Sequence, residues 1–142
     1  MYKIQSHDPN KEKRLFKESH EIKVISIFLK IIRSKDTLDL SYRELDDETF
    51  KIIVETAVTD QKVLEKLCLI TELNLSSNQL TQFEKEHLDI FRNLKVLTLK
   101  NNKFNTVPDC LKPYLNCHND NIKSLKVDLS ENQLTTRTTI HA

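Results

Sequence analysis

The chain has 142 residues, of which 30% are charged, and its formal net charge is +1. At this length a chain buries about 70% of its unfolded surface, so one continuous core forms without metal or disulfide staples. The low net charge excludes a general attraction to nucleic acid or an anionic membrane, and no apolar run reaches the roughly 18 residues of a membrane-spanning helix.

The sequence contains no glycine. Phosphate-binding P-loops, dinucleotide-binding turns and the nucleophile elbow all need glycine, either for close backbone approach or for a positive φ. The usual forms of these sites are therefore excluded. Because asparagine tolerates the left-handed region better than most residues, we expect it to serve the bends at Asn78, Asn101, Asn102, Asn105 and Asn132.

Residues 1–17 form a polar segment that lacks the apolar region of a secretory signal peptide. The chain has three cysteines, Cys68, Cys110 and Cys117. An odd number leaves at least one thiol unpaired, which is typical of a reducing compartment. Both features predict a cytoplasmic location.

Residues 18–34 are predicted to form an N-terminal capping helix. At 100° per residue, the polar residues Lys23, Ser26, Lys30 and Arg33 fall on one side, and apolar residues occupy the rest. This apolar arc is wider than that of a surface helix, so we expect burial over most of the circumference at the N-terminal end of the core. A partner-binding or membrane-surface helix is the less favoured alternative, since the helix has few basic residues.

Two later stretches share one spacing of apolar residues. They read ITELNLSSNQL at 70–80 and LKVLTLKNNKF at 94–104, and Asn78 and Asn102 occupy the same slot. Apolar residues alternate only briefly before the pattern breaks, which indicates a short strand that runs into a bend. We expect the asparagine amide to hydrogen-bond backbone groups that the bend leaves unpaired.

Less regular copies of this spacing lie on either side. SLKVDLSENQL at 124–134 keeps the asparagine, although Ser124 holds the first apolar slot. KDTLDLSYREL at 35–45 keeps the leucines, but Arg43 replaces the asparagine. Degraded copies are common at the end of a repeat array.

These four stretches resemble the leucine-rich-repeat family, whose signature is L-x-x-L-x-L-x-x-N-x-L, over residues 35–137. The connectors are similar to those of the ribonuclease-inhibitor type. The resemblance implies an α/β solenoid, with a curved parallel sheet of about four strands on the concave side and helices and irregular turns on the convex side. Residues 138–142 then form a C-terminal tail of a single domain.

Helices are predicted in the connectors between the strands. In the first connector, Asp46 or Asp47 caps a helix of about three turns that breaks near Asp60. In the second, Thr81 and Glu84 form a T-x-x-E capping box.

Candidate catalytic and metal-binding residues are few. Cys110 or Cys117 could act as a thiol with His118 as base, and Asp109 and His20 could complete a metal site. Their spacing fits no standard zinc pattern. We therefore predict no enzyme, no metal and no cofactor, with a cysteine-dependent enzyme as the distant alternative. Likewise, His87 is interpreted as a core histidine rather than a base.

The strands should present one row of side chains away from the core. Outward residues of neighbouring strands line up about 4.8 Å apart, with acidic residues on the first two strands and lysines on the later ones. The predicted partner-binding residues of this concave face and its turns are Thr37, Asp39, Ser41, Tyr42, Glu72, Asn74, Ser76, Val96, Thr98, Lys100, Asn101, Lys126, Asp128 and Ser130.

A face of mixed charge suits a protein partner and suits a nucleic-acid duplex poorly. We expect the protein to be a monomer on its own and to form a heterodimer with one specific partner protein, for which an enzyme is one candidate. We expect it to bind neither nucleic acid nor a membrane. The ribonuclease-inhibitor resemblance implies inhibition or regulation by occlusion of the partner's active or docking site. The chief alternative is a scaffold or adaptor that recruits proteins without blocking them.

The composition, free of glycine and rich in Lys, Asn and Ile, has a weaker resemblance to leucine-rich effectors of intracellular bacterial pathogens. That resemblance implies injection into a host cell, as an effector or as a regulator of another effector. The target would be a host protein or a second bacterial protein.

Overall fold

The computed structural model describes residues 22–115 and 124–135. Its elements in chain order are α1 (residues 22–33), β1 (Thr37–Asp39), α2 (Asp47–Ala57), α3 (Gln61–Leu69), β2 (Glu72–Asn74), α4 (Lys85–Ile90), β3 (Val96–Thr98), a 3₁₀ turn (Asp109–Leu111), α5 (Lys112–Leu115) and β4 (Lys126–Asp128). The predictions for the segment 1–17, the start of the helix 18–34 and the tail 138–142 lie outside the described residues.

The four strands form one parallel sheet in the order β1-β2-β3-β4. Leu38 lies opposite Leu73, Leu73 opposite Leu97, and Leu97 opposite Val127. The same apolar slot of each repeat therefore forms a single row across the sheet. This register confirms the predicted α/β class and the parallel sheet of about four strands.

One side of the sheet is buried in the core. Leu38, Leu73 and Leu97 are at most 1% exposed, and they belong to one continuous cluster of apolar side chains. At the last strand, Val127 is only half-buried and Leu134 is 37% exposed. No later repeat in the described part of the chain covers these two residues, which explains their greater exposure.

Helix α2 begins where the sequence predicts. The Asp46 carboxylate accepts a hydrogen bond from the Thr49 N–H at 2.8 Å, so Asp46 is the N-cap. After α2 ends at Ala57, Asp60 caps α3 by accepting from the N–H groups of Lys62 and Val63. Both the cap and the break near Asp60 are confirmed.

The predicted capping box of Thr81 and Glu84 is wrong. Glu84 is itself the N-cap of α4, and its N–H donates to Nδ1 of His87 at 3.1 Å. Thr81 lies before the helix, where its N–H and hydroxyl both donate to the Asp47 carboxylate. The Gln82 N–H donates to the same group, so this carboxylate fixes the chain on the helical side of the second repeat.

Helix α1 packs on the core along one side only. Ile27 and Ile31 are at most 1% exposed, and Val24 and Phe28 pack partly against the same cluster. Four large aliphatic side chains on the opposite side are 46% to 67% exposed: Ile22, Ile25, Leu29 and Ile32. The expected burial over most of the circumference is therefore wrong, because no other described part of the chain covers this second side.

Candidate protein-binding face

The open face is the side of the sheet that points away from the core. Its first row of residues, in strand order, is Thr37, Glu72, Val96 and Lys126. Its second row is Asp39, Asn74, Thr98 and Asp128. All of them are exposed or half-buried, so the structure brings these predicted residues together on one surface.

A third row, just beyond the strands, is fixed by short hydrogen bonds. One carboxylate oxygen of Asp39 accepts from the N–H of Ser41 at 3.0 Å and from its hydroxyl at 2.6 Å. The same pair of bonds joins Asn74 to Ser76 and Asp128 to Ser130. The recurring sequence Asp or Asn, Leu, Ser thus holds polar side chains in one conformation on three of the four strands.

These bonds also fix charge on the open face. Hydrogen bonds from the hydroxyl and the N–H of Ser41 lower the pKa of Asp39 below its usual 3.8. Those from Ser130 lower the pKa of Asp128 in the same way. Both carboxylates are consequently anionic at neutral pH, one at each end of the second row.

The predicted change from acidic to basic strands is weaker than the sequence suggests. Glu72 on β2 and Lys126 on β4 follow it, but Asp128 is also on β4. In addition, the Lys100 ammonium lies 3.5 Å from the Glu131 carboxylate. This ion pair partly neutralises the expected basic side.

Each strand is followed by a residue in the left-handed region. Tyr42, Ser77, Asn101 and Glu131 have φ between 56° and 58°, and each lies one residue before the asparagine slot of its repeat. Asparagines were expected to adopt this left-handed conformation, and the expectation is confirmed only for Asn101. At the first turn the conformation leaves the Tyr42 side chain 80% exposed.

The asparagines that recur in the same repeat position, called here the slot asparagines, hold neighbouring turns together: Asn78, Asn102 and Asn132. Oδ1 of Asn78 accepts from the N–H groups of Arg43 and Leu45, both at 2.9 Å. Its Nδ2 donates to the carbonyls of Leu40 and Leu75, both at 3.0 Å. One side chain therefore satisfies backbone groups of its own turn and of the preceding repeat.

The same arrangement recurs one repeat later. Nδ2 of Asn102 donates to Leu75 O at 2.9 Å and to Leu99 O at 3.1 Å, and its Oδ1 accepts from Leu80 N at 3.0 Å. Oδ1 of Asn132 in turn accepts from the Asn102 N–H at 3.1 Å. The predicted pairing of the amide with the bend is confirmed. The bonds to the preceding repeat were not predicted, because a sequence alone does not show which turns are adjacent.

The first repeat has Arg43 where the later repeats have asparagine, and the structure gives a physical reason for this difference. The described part of the chain contains no earlier turn that an amide at this slot could join. Instead, Nη1 of Arg43 donates to the Ser26 hydroxyl on α1 at 3.4 Å. Nearby, Lys23 donates from Nζ to the carbonyl of Glu44 at 3.2 Å, so two side chains connect the first turn to α1.

Cys110 is not arranged as an activated nucleophile. Its Sγ donates to the Phe83 carbonyl at 3.3 Å, and burial raises its pKa. A nucleophilic cysteine needs the opposite shift. The other members of this candidate site, Cys117, His118 and His20, lie outside the described residues.

His87 packs at the inner side of α4. Its ring centroid is 4.9 Å from that of Phe50 and 5.3 Å from that of Phe83. Burial lowers its pKa, and Nδ1 accepts from the Glu84 N–H. His87 is thus a half-buried, hydrogen-bonded side chain that packs on two core phenylalanines, which favours the structural interpretation over a catalytic base.

Within residues 22–115 and 124–135, no group of three or more His, Cys, Asp or Glu side chains is placed to hold a metal ion. In the same ranges, no helix has both the length and the apolar character that crossing a membrane requires.

Residues 93–113, which include β3 and the Asn102 turn, match the Leucine Rich Repeat family model. Over 85 residues the chain is 40% identical to the probable serine/threonine-protein kinase pats1 of Dictyostelium discoideum. The matched segment is 60% of this chain and 2% of that protein. No solved structure matches. Taken with the four equivalent strand-and-turn units, these findings support a leucine-rich-repeat protein.

Proposed function

We propose that this protein binds one partner protein through the open face, the concave side in a curved repeat array, and covers that partner's active or docking site. Leucine-rich repeats are protein-interaction modules, which supports the general class. The single observation that carries the proposal is the row of polar side chains fixed before any partner arrives.

Preorganisation lowers the entropic cost of binding on this face. A side chain that is already hydrogen-bonded, as Asp39 is to Ser41, loses little rotamer freedom when a partner docks. The backbone beneath is held by bonds of the slot asparagines to neighbouring repeats. The hydrogen-bonded side chains of the open face are therefore already positioned for a partner.

Tyr42 is the proposed anchor of the interface. The residue is 80% exposed, and it lies three residues after the fixed carboxylate of Asp39. Tyrosines of this kind often carry a large share of an interface's binding energy. Glu72 and Lys126, in the same row two strands apart, then favour a partner with opposed charges in matching positions.

The size of the sheet supports one partner at a time. A standard interface buries about 800 Å² on each protein. The sheet has four strands of three residues each, so an interface of this size would need most of the open face and its turns, and two proteins would compete for the same residues.

A scaffold or adaptor is the second candidate function. The observation that favours it is a separate apolar groove between α2 and α4, on the helical side. The name of the Dictyostelium relative describes a kinase, but the match covers too little of that protein to bring its activity to this chain. A cytoplasmic location and an effector role remain proposals based on composition and cysteine number.

Affinity capture with the full chain, followed by identification of the bound protein, provides the partner for the test. Purified chain is then added to that partner, and the partner's activity is measured. Loss of activity at equimolar chain supports occlusion. Unchanged activity in a stable complex contradicts occlusion and favours the adaptor.

A further inference from the structure

A groove of about 690 Å³ lies between α2 and α4. Its floor is apolar: Phe50 and Val54 are 2% and 6% exposed, whereas Val58 at the end of α2 is 39% exposed. Ile90 and His87 of α4 form the other wall and are half-buried. We call this feature the helix groove.

Negative charge surrounds the helix groove. Its lining includes Lys51 as the one cation of the set, together with these carboxylates: Asp47, Glu48, Glu55, Glu84 and Glu86. Among the described residues, none of these carboxylates forms an ion pair with a lysine or arginine. The groove is therefore apolar at its base and anionic at its rim.

The fold accounts for some of these carboxylates. Asp47 accepts hydrogen bonds from Thr81 and Gln82, and Glu84 is the N-cap of α4. Glu48 and Glu86 lie in first helical turns, where the helix dipole favours anions. These four residues alone would not indicate a ligand.

Glu55 is not explained in this way. It lies in the last turn of α2, where the dipole disfavours an anion, and that turn has no basic residue. It is also next to the exposed end of the apolar floor at Val58. A carboxylate without an ion pair, beside exposed apolar surface, is suited to a ligand that brings both a cation and an apolar group.

We propose that the helix groove binds a basic amphipathic helix of a partner protein. Such a helix presents apolar side chains at i, i+3, i+4 and i+7 to the floor, and its flanking lysines or arginines reach the glutamates at the rim. The 11 residues of α2 span about 16 Å, which matches a partner helix of about three turns. This surface is separate from the open face and does not depend on it.

The test is a titration of the full chain with a synthetic helical peptide of leucine and lysine, at physiological salt. A peptide with glutamate in place of every lysine is the control ligand. We expect saturable one-to-one binding of the lysine peptide and none of the glutamate peptide. Equal binding of both peptides, or binding of neither, overturns the proposal.

Two charge-matched variants locate the site. The double change Glu55→Lys and Glu86→Lys should weaken binding of the lysine peptide at least about tenfold, because it reverses charge at the rim. The control Glu65→Lys with Asp36→Lys changes net charge equally, at two exposed positions outside the groove lining, and should have little effect. An equal loss in both variants would indicate nonspecific charge attraction and overturn the proposal.

A second copy of this chain is the competing occupant, because α1 has an exposed apolar side next to Arg33. Sedimentation of the chain alone separates the two ideas. We expect a monomer. Self-association that is lost in both Arg33→Glu and Glu55→Lys would assign the groove to α1 of another copy and overturn the partner-helix proposal.

Discussion

Asn102 donates from Nδ2 to the backbone carbonyl of Leu75, 2.9 Å away and 27 residues earlier in the chain. The bond joins the turn of one repeat to the end of the preceding strand. Because Asn102 is 5% exposed, its amide is shielded from the water that would otherwise compete for these groups. The side chain thus links two neighbouring repeats beside the sheet.

The substitution Asn102→Ala should lower the free energy of unfolding by about 1 to 3 kcal/mol, since it leaves buried donors and acceptors unpaired. Asn132→Ala should cost less, because Asn132 is half-buried at the last described turn. Urea denaturation of both variants measures the difference. An Asn102→Ala protein as stable as the parent would contradict the structural role given to this amide.

Leu97→Ala should destabilise the protein by about 2 to 5 kcal/mol, because Leu97 is fully buried at the centre of the apolar row. Val127→Ala, in the same row, should cost clearly less, since Val127 is half-buried at the edge of the sheet. The two losses of stability are compared from the midpoints of denaturant unfolding, provided that the slope of the unfolding free energy against denaturant is the same in both variants. Equal losses would contradict the half-burial of Val127 on β4.

Stability should depend on pH through His87. Burial lowers the pKa of His87 in the folded state below its usual 6.5, although the nearby carboxylates of Glu84, Glu86 and Asp47 oppose this shift. As pH falls below 6.5, the unfolded state binds the proton first, so stability decreases until pH passes the folded pKa. Above 6.5 both states are neutral and the contribution is complete.

The variant His87→Gln removes this titration while it keeps an acceptor for the Glu84 N–H. Thermal unfolding of parent and variant between pH 5 and pH 7.5 (about the range over which histidine titrates) should show a smaller loss on acidification in the variant. Identical pH profiles would show that His87 is not desolvated in the folded protein.

The left-handed turn residue should prefer glycine. Ser77→Gly should be more stable than Ser77→Ala by about 1 kcal/mol, because both lose the hydroxyl but only alanine retains a Cβ at φ 58°. At the neighbouring Ser76, which is not among the residues of positive φ, the order should reverse. The same order at both positions in denaturation experiments would contradict the turn geometry.

The strands were predictable because burial on one side leaves a period in the sequence, as Leu73 and Leu75 show. The amide role was predictable in part, since Asn78 recurs in register with Asn102. Periodicity did not show which side of α1 is covered, because it identifies apolar residues but not what packs against them. The predicted capping box of Thr81 and Glu84 is absent because Thr81 donates its hydrogen bonds to the Asp47 carboxylate, 34 residues earlier in the chain.

The helix groove was not predictable from local patterns. Glu55 and Glu86 belong to different connectors, and only the packing of α2 beside α4 brings them to one rim. The open face was predictable residue by residue, but not the hydrogen bonds that fix Asp39 and Asp128.

Binding by the open face is tested by variants that alter its exposed side chains and spare the core. Tyr42→Ala removes the proposed anchor, and Lys126→Glu reverses a charge in the first row. The matched control is Lys62→Glu on α3, which lies on neither the open face nor the helix groove. All three should unfold at the same denaturant concentration as the parent.

The most direct measurement is a calorimetric titration of the captured partner with each folded variant. Tyr42→Ala and Lys126→Glu should each weaken the complex by at least about 1 kcal/mol, while Lys62→Glu leaves the affinity unchanged. If both open-face variants bind as tightly as the parent, the open face is not the binding surface and the central claim is wrong.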